Sequence, residues 1–263
     1  MLAPGSRPDS GPASATALPP VPARDEHGAL RIAILGAEST GKTQLSQALA
    51  QRITALTGLR CAVVPEWLRH WCEREGRTPA PHEQAGIALH QHALIDQAAQ
   101  DHDVVITDTT AIMTAVYSHM LFDDASLNAW AQAQQARCHH TLLTALDIAW
   151  QADGLQRDGP HVREPVDNRV RALLIGAGLP WSLVAGTGDA RVESALNAIA
   201  PLLQGKVQQL AQQAGNGPRA TGLFTRLAER EAASVEQAAA WRWVCENCDV
   251  PDCEHAWMAG RSV

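Results

Sequence analysis

The chain has 263 residues, which is enough for one α/β core with extensions, and its formal net charge is -7. That acidic balance argues against a general surface for nucleic acid or for anionic membranes. No apolar run approaches the ~18 residues of a membrane-spanning helix, and the first residues lack the basic start and apolar block of a secretory signal. We therefore expect a cytoplasmic protein that binds neither nucleic acid nor membrane.

The N-terminal stretch is rich in proline, with six prolines among Gly, Ser and Ala in residues 1–28. Such a composition offers almost nothing to bury, so it predicts a disordered leader. Alternating apolar runs and helical patterns begin after this leader, and they predict one α/β domain over residues 29–203.

The first apolar run of this domain, LRIAIL at residues 30–35, predicts a buried strand that ends in a glycine-bounded loop. The loop sequence GAESTGKT fits the Walker A pattern G-x-x-x-x-G-K-[ST]. Glycines let the backbone wrap around a polyphosphate, and the first amides and the dipole of the following helix attract the anion. Lys42 is expected to bridge the outer phosphates, and Thr43 to bind Mg²⁺. The residues predicted to bind the nucleoside triphosphate are Gly36, Ala37, Glu38, Ser39, Thr40, Gly41, Lys42 and Thr43.

A second buried strand is predicted at residues 60–64, after a helix over residues 42–57. It ends at Pro65, so Glu66 lies at the carboxyl end of a strand, where ligands bind in open parallel sheets. A carboxylate at that edge can act as a general base toward a substrate hydroxyl. The alternative is a carboxylate that the dipole of the next helix favours at its N-terminus.

The third predicted strand, DVVITD at residues 103–108, ends in a carboxylate. This is the usual form of the second acidic element of P-loop proteins, and a strand next to the loop would bring Asp108 beside Thr43. We expect Asp108 to hold Mg²⁺ directly or through water. The alternative role is a cap on the following helix, and the two roles are compatible.

Two further apolar runs, at residues 140–146 and 179–185, predict a fourth and a fifth strand. Helical patterns separate all five strands, which is typical of a parallel sheet with right-handed crossovers. The predicted fold class is therefore α/β, a P-loop NTPase three-layer sandwich with a five-stranded parallel sheet.

A polar segment over residues 150–165 contains Arg157 and Arg163. Phosphoryl transfer needs cations around the migrating group and exclusion of water, and mobile arginine-bearing lids supply both. We take these two arginines as candidate lid residues. The alternative is a solvated loop whose charges pair with each other.

Residues 204–263 turn to Gln, Ala and Arg and predict a C-terminal helical extension with a Cys/His cluster. The spacing C-x2-C-x4-C-x-H offers four ligands, which is enough for a structural tetrahedral Zn²⁺ site. The alternative is three reduced thiols at the surface or in helix packing. The four candidate ligands are Cys245, Cys248, Cys253 and His255.

Four segments occur in a fixed order along the chain: residues 36–43, PEWLR at residues 65–69, Asp108-Thr109-Thr110 after the helix around Gln91, and DIAWQADGL at residues 147–155. In their order and spacing the chain resembles the NadR-type ribosylnicotinamide kinase domain, a P-loop nucleoside kinase-like relative of AAA-type ATPase domains, over roughly residues 30–203. It departs from the family pattern at Trp67 and Gln156, where tyrosine and arginine are usual.

The resemblance implies transfer of the ATP γ-phosphate, with Mg²⁺, to the 5′-hydroxyl of nicotinamide riboside, a reaction of NAD biosynthesis. The small-molecule nucleoside would be bound by Glu66, Trp67, Arg69, Trp150 and Asp153, and the catalytic residues would be Lys42, Glu66, Asp108, Arg157 and Arg163. The tail supports a second hypothesis, an ATP-binding regulatory ATPase whose C-terminal extension engages a protein partner.

Overall fold

The computed structural model describes residues 18–151 and 159–213. None of the helices in these ranges combines the length and the apolar composition that a membrane-spanning segment needs. The strands are β1 (Leu30–Leu35), β2 (Cys61–Val64), β3 (Val104–Asp108), β4 (His140–Thr144) and β5 (Trp181–Val184). The α-helices are α1 (Lys42–Thr57), α2 (Trp67–Glu75), α3 (Gln84–Asp101), α4 (Ala111–Phe122), α5 (Asn128–Gln135), α6 (Arg163–Gly176) and α7 (Gly188–Gln213).

The five strands form one parallel sheet in the order β2-β3-β1-β4-β5. β1 is central, and in its register Ile34 lies opposite Asp108 on β3 and opposite Leu142 on β4. The loop that follows β1 therefore starts between the carboxyl ends of β3 and β4. This arrangement confirms the predicted five-stranded parallel sheet.

Helices cover both faces of the sheet, which confirms the three-layer architecture. Alternate residues of the strands point to opposite faces, so Ile32 and Ile34 pack with α1 and α7 while Leu35 packs with α4 and α6. All three side chains are fully buried. Burying each such side chain stabilises the fold by roughly 1.5–3 kcal/mol, so the sheet is anchored on both sides.

The last helix, α7, continues through residue 203, the predicted end of the α/β domain, to Gln213. Leu203, Val207 and Leu210 recur at helical spacing and pack in the cluster that contains α1. The predicted boundary between the α/β domain and the C-terminal extension therefore falls inside a continuous helix. β4, by contrast, ends at Thr144 rather than at residue 146.

The segment just before β1 packs on the domain. Leu18 and Val21 lie against the apolar cluster of α4, α5 and α6, and the indole Nε1 of Trp130 donates a hydrogen bond of 3.0 Å to the carbonyl of Pro19. Lys206 on α7 donates to the carbonyl of Gly28 at 2.8 Å. The expectation of a disordered leader therefore does not hold for residues 18–28, and residues 1–17 lie outside the described residues.

Replacing a core leucine tests the packing of α1 on the sheet. Leu49→Ala removes a fully buried side chain, and we expect it to lower the free energy of unfolding by about 2–5 kcal/mol, measured by urea denaturation. Leu121→Ala is the matched control, since Leu121 on α4 is 57% exposed and its loss should cost less than about 0.5 kcal/mol. Equal losses for the two variants would contradict the assigned core.

Candidate nucleotide-binding site

The loop after β1 depends on glycine at both of its ends. Gly36 and Gly41 have φ values of 149° and 75°, in the region that favours glycine. A Cβ at Gly36 would overlap Thr144 Oγ1, and a Cβ at Gly41 would lie 3.3 Å from Ile148 Cδ1. At both glycines of the Walker A pattern, the backbone conformation and the close neighbours disfavour any larger residue.

Hydrogen bonds fix the interior of the loop. Thr40 Oγ1 donates to the carbonyl of Ala37 at 2.8 Å and lies 2.7 Å from Thr144 Oγ1 on β4. Lys42 Nζ also donates to the carbonyl of Ala37, at 2.9 Å, which holds the ammonium group against the loop backbone. The loop's own hydrogen bonds thus hold its shape, and a loop that is held in shape loses less entropy on binding.

Two side chains with oxygen atoms meet where the end of β3 lies beside the first turn of α1. Thr43 Oγ1 donates to Asp108 Oδ2 at 2.5 Å, and Asp108 is only 2% exposed. Among the described residues Asp108 Oδ1 has no hydrogen-bond partner although it is buried. A hydroxyl and a carboxylate with an unused oxygen are the donor set that Mg²⁺ prefers, so these two residues fit the predicted ion.

The alternative role of Asp108 as a helix cap is not what the structure shows. Thr110 is the N-cap residue of α4, and its side chain accepts a hydrogen bond from the amide of Ile112. Elsewhere in residues 18–151 and 159–213, no group of three or more His, Cys, Asp or Glu side chains could hold a metal ion. The predicted zinc ligands Cys245, Cys248, Cys253 and His255 lie outside the described residues.

Glu66 and Arg69 share a cavity with the glycine-bounded loop. The cavity has a volume of about 310 Å³, and Glu66 forms an ion pair of 3.9 Å with Arg69 across one turn of α2. Glu66 is the N-cap residue of α2, yet its carboxylate makes no capping hydrogen bond to that helix. The residues that line the cavity are Ser39, Thr40, Gly41, Lys42, Thr43, Gln44, Glu66, Arg69, Ile148, Ala149 and Gln151.

Other predicted site residues do not line this cavity. Trp67 lines a separate cavity of about 430 Å³ between α2 and α3, where its ring lies 3.9 Å from that of His90. Trp150 is half-buried, and Arg163 is buried at the start of α6. Their predicted roles in lining the substrate or closing the lid stay predictions, and Asp153 and Arg157 lie outside the described residues.

The segment after β4 forms one wall of the cavity. The amide of Gln151 donates to Ser39 Oγ at 2.8 Å, and Ile148 approaches Gly41. At the base of this segment, burial raises the pKa of Asp147, but hydrogen bonds from Arg191 and from the Gly186 amide lower it below its ordinary value. The wall is therefore tied to the loop at one end and to α7 at the other.

Sequence reasoning missed Arg191, which holds three segments of the site together. Its guanidinium is buried and donates to Asp147 Oδ1 at 2.8 Å, to the Gly186 carbonyl at 2.6 Å and to the Thr40 carbonyl at 2.9 Å. Thr40 belongs to the glycine-bounded loop, Asp147 follows β4, and Gly186 follows β5. A single arginine on a helix forms no motif, so only the fold reveals this role.

These features define the class of protein. The parallel sheet, the Walker A loop after its central strand and the adjacent Thr43–Asp108 pair are those of an α/β P-loop NTPase with a kinase-like fold. Residues 31–191 match the profile of the family described as AAA domain, so the chain belongs to that family.

Two solved NadR structures are similar to this chain in fold. A NadR protein in complex with NR superposes with a TM-score of 0.54 and 18% identity, over 66% of this chain and 50% of that one. A NadR protein in complex with NAD and AMP-PNP has a TM-score of 0.54 and 19% sequence identity, and the match covers 66% of this chain and 49% of that one. The match thus spans about half the length of either NadR chain. A thymidylate kinase from Ehrlichia chaffeensis has a TM-score of 0.45 and 16% sequence identity, and the match covers 66% of this chain and 99% of that one. No curated protein sequence matches significantly.

Removing Arg191 tests its structural role in the site. Arg191→Met leaves the carbonyls of Thr40 and Gly186 without their donor, so we expect the affinity for a fluorescent nucleoside triphosphate to fall at least tenfold and the protein to lose about 2–5 kcal/mol of stability. Arg171→Met, which removes a partly exposed partner of Asp167 on α6, is the control. Unchanged triphosphate affinity in Arg191→Met would contradict the assignment.

Proposed function

We propose that the protein is an ATP-dependent phosphotransferase that moves the γ-phosphate to a hydroxyl group of a nucleoside. The observation that carries this proposal is the shared cavity, in which the Glu66–Arg69 pair faces the same space as Lys42 and Thr43. A carboxylate at this position can take the proton of a nucleoside hydroxyl or of a water molecule. Formation of a phosphorylated nucleoside therefore distinguishes a kinase from a hydrolytic ATPase.

The loop would bind and neutralise the triphosphate. Its amides and the Lys42 ammonium would contact the phosphates, with Lys42 exchanging the carbonyl of Ala37 for a phosphate oxygen. Thr43 and Asp108 would hold Mg²⁺, which neutralises charge on the β- and γ-phosphates when bound. Catalysis in this chemistry is mainly positioning and electrostatic stabilisation, which a loop held by its own hydrogen bonds would supply.

Glu66 would act at the acceptor end. As the acceptor oxygen bonds to the γ-phosphorus and the bond to the ADP oxygen breaks, the hydroxyl proton would pass to the Glu66 carboxylate. Arg69 would orient that carboxylate through the ion pair. The candidate lid arginines Arg157 and Arg163 would add positive charge as the site closes, and Trp150 and Asp153 would contact the substrate.

We propose nicotinamide riboside as the acceptor, which would place the reaction in NAD biosynthesis. Support comes from the four sequence segments that resemble the NadR-type ribosylnicotinamide kinase domain, and from the likeness in fold to a NadR protein whose structure was solved with NR.

A substrate panel tests the proposal. The full chain is incubated with ATP, Mg²⁺ and either nicotinamide riboside or one of the common nucleosides, and ADP and the phosphorylated product are measured by mass spectrometry. We expect nicotinamide mononucleotide from nicotinamide riboside. Binding of ATP without phosphorylation of any nucleoside would overturn the assignment as a kinase, and preference for another nucleoside would overturn only the choice of acceptor.

Lys42→Ala should lower kcat/KM by about 10²–10³-fold, because it removes a cation from the transferring phosphoryl group. The rate of ADP formation with saturating acceptor measures this loss. Gln47→Ala, at an exposed position on the same helix α1, should leave the rate unchanged. An active Lys42→Ala enzyme would show that the phosphates bind elsewhere.

Glu66→Gln should lower kcat by about 10²–10⁴-fold and leave the ATP dissociation constant unchanged, since it removes the base and not the phosphate contacts. Single-turnover kinetics and a fluorescent ATP analogue separate the two effects. Glu73→Gln is the matched control, at an exposed glutamate of the same helix α2. Retention of full kcat by Glu66→Gln would exclude the proposed base.

A further inference from the structure

The side chain of Gln91 bridges the peptide groups on both sides of Glu66. Gln91 lies on α3 and is only 3% exposed. Its Oε1 accepts a hydrogen bond of 2.7 Å from the amide of Trp67, and its Nε2 donates one of 3.2 Å to the carbonyl of Pro65. One side chain therefore holds the residue before Glu66 and the residue after it.

This contact also replaces the missing cap of α2. The first amides of a helix lack partners within the helix, and Glu66, the N-cap residue, makes no capping hydrogen bond with its side chain. Gln91 satisfies the amide of Trp67, the first residue of α2, from a neighbouring helix. The backbone of Glu66 is thus fixed on both sides.

Gln91 also contacts the residue before Asp108. Its Nε2 lies 3.4 Å from the hydroxyl of Thr107, the residue before Asp108 on β3. Thr107 Oγ1 donates in turn to the carbonyl of Thr109 at 2.5 Å. Thr109 has a φ of 71°, a conformation that a β-branched residue adopts only when its surroundings enforce it. The amide of Gln91 therefore joins the backbone around Glu66 to the turn after Asp108.

We propose that Gln91 is a positioning residue that holds Glu66 in place relative to the carboxyl end of β3, where Asp108 lies. It contacts no reacting group and acts through Glu66. This inference rests on the proposed function, because it assigns Glu66 a role in the transfer step.

Gln84 provides a matched comparison for a purely structural role. It lies on the same helix two turns earlier, hence on the same face as Gln91, and it is 2% exposed. Its Oε1 has no hydrogen-bond partner among the described residues. Gln84→Met therefore reports the cost of exchanging a buried amide for a thioether on α3 without any contact to Glu66.

The first experiment compares Gln91→Met with Gln84→Met in the full chain with the best acceptor of the panel. For Gln91→Met we expect kcat to fall about 10–100-fold through misalignment, with the KM for ATP and the affinity for a fluorescent ATP analogue within twofold of the wild type. For Gln84→Met we expect kcat within twofold. Equal kcat values for the two variants would overturn the role of Gln91.

A double-variant cycle tests whether Gln91 acts through Glu66. The double variant Glu66→Gln/Gln91→Met should react no more slowly than Glu66→Gln alone. Once residue 66 has lost its carboxylate, moving its side chain lowers kcat no further. If the two losses multiply instead, Gln91 does not act through Glu66 and the proposal fails.

Gln91→Glu gives a test that does not depend on the methionine variant folding well. A protonated carboxyl can still donate to the Pro65 carbonyl and accept from the Trp67 amide, whereas an ionised one cannot donate. The ratio of variant to wild-type kcat should therefore rise as the pH falls, and a ratio independent of pH would contradict the bridging role. A wild-type chain that phosphorylates no nucleoside overturns the proposed function itself and the role of Gln91 with it.

Discussion

The central position of β1 is the constraint on which the site depends. β1 is hydrogen-bonded to β3 on one side and to β4 on the other, so the loop at its carboxyl end opens between Asp108 and Thr144. The side chain of Thr144 leaves no room for a Cβ at residue 36, and Asp108 meets the first turn of α1. Strand order, rather than any single contact, brings the glycine-bounded loop and the acidic residues together.

The parts of the structure that depend on local patterns could be predicted from the sequence. The apolar runs located all five strands, and the Walker A pattern located a loop whose glycines do adopt left-handed φ values. Glu66 comes just after β2 and Asp108 ends β3, and the carboxyl ends of these strands meet at one edge, so the placement of both residues also follows from the pattern. Their chemical roles remain proposals.

The parts that depend on contacts between distant segments could not be predicted. Arg191 reaches a carbonyl 151 positions away, and Gln91 reaches an amide 24 positions away, so neither leaves a periodic signal in the sequence. Trp67 illustrates a different limit. It follows Glu66 directly, but successive residues of a helix point about 100° apart, so the indole stacks on His90 in another cavity.

The segment at residues 18–28 has a consequence for anyone who shortens this chain. Its proline-rich composition suggests that it could be removed up to the first strand. However, the carbonyl of Pro19 accepts a hydrogen bond from the Trp130 indole, and Leu18 covers apolar side chains of α4 and α6. Removing all residues before residue 29 would expose a hydrophobic patch on the face of the sheet opposite α1, and this exposure would favour aggregation. Trimming should stop before residue 18.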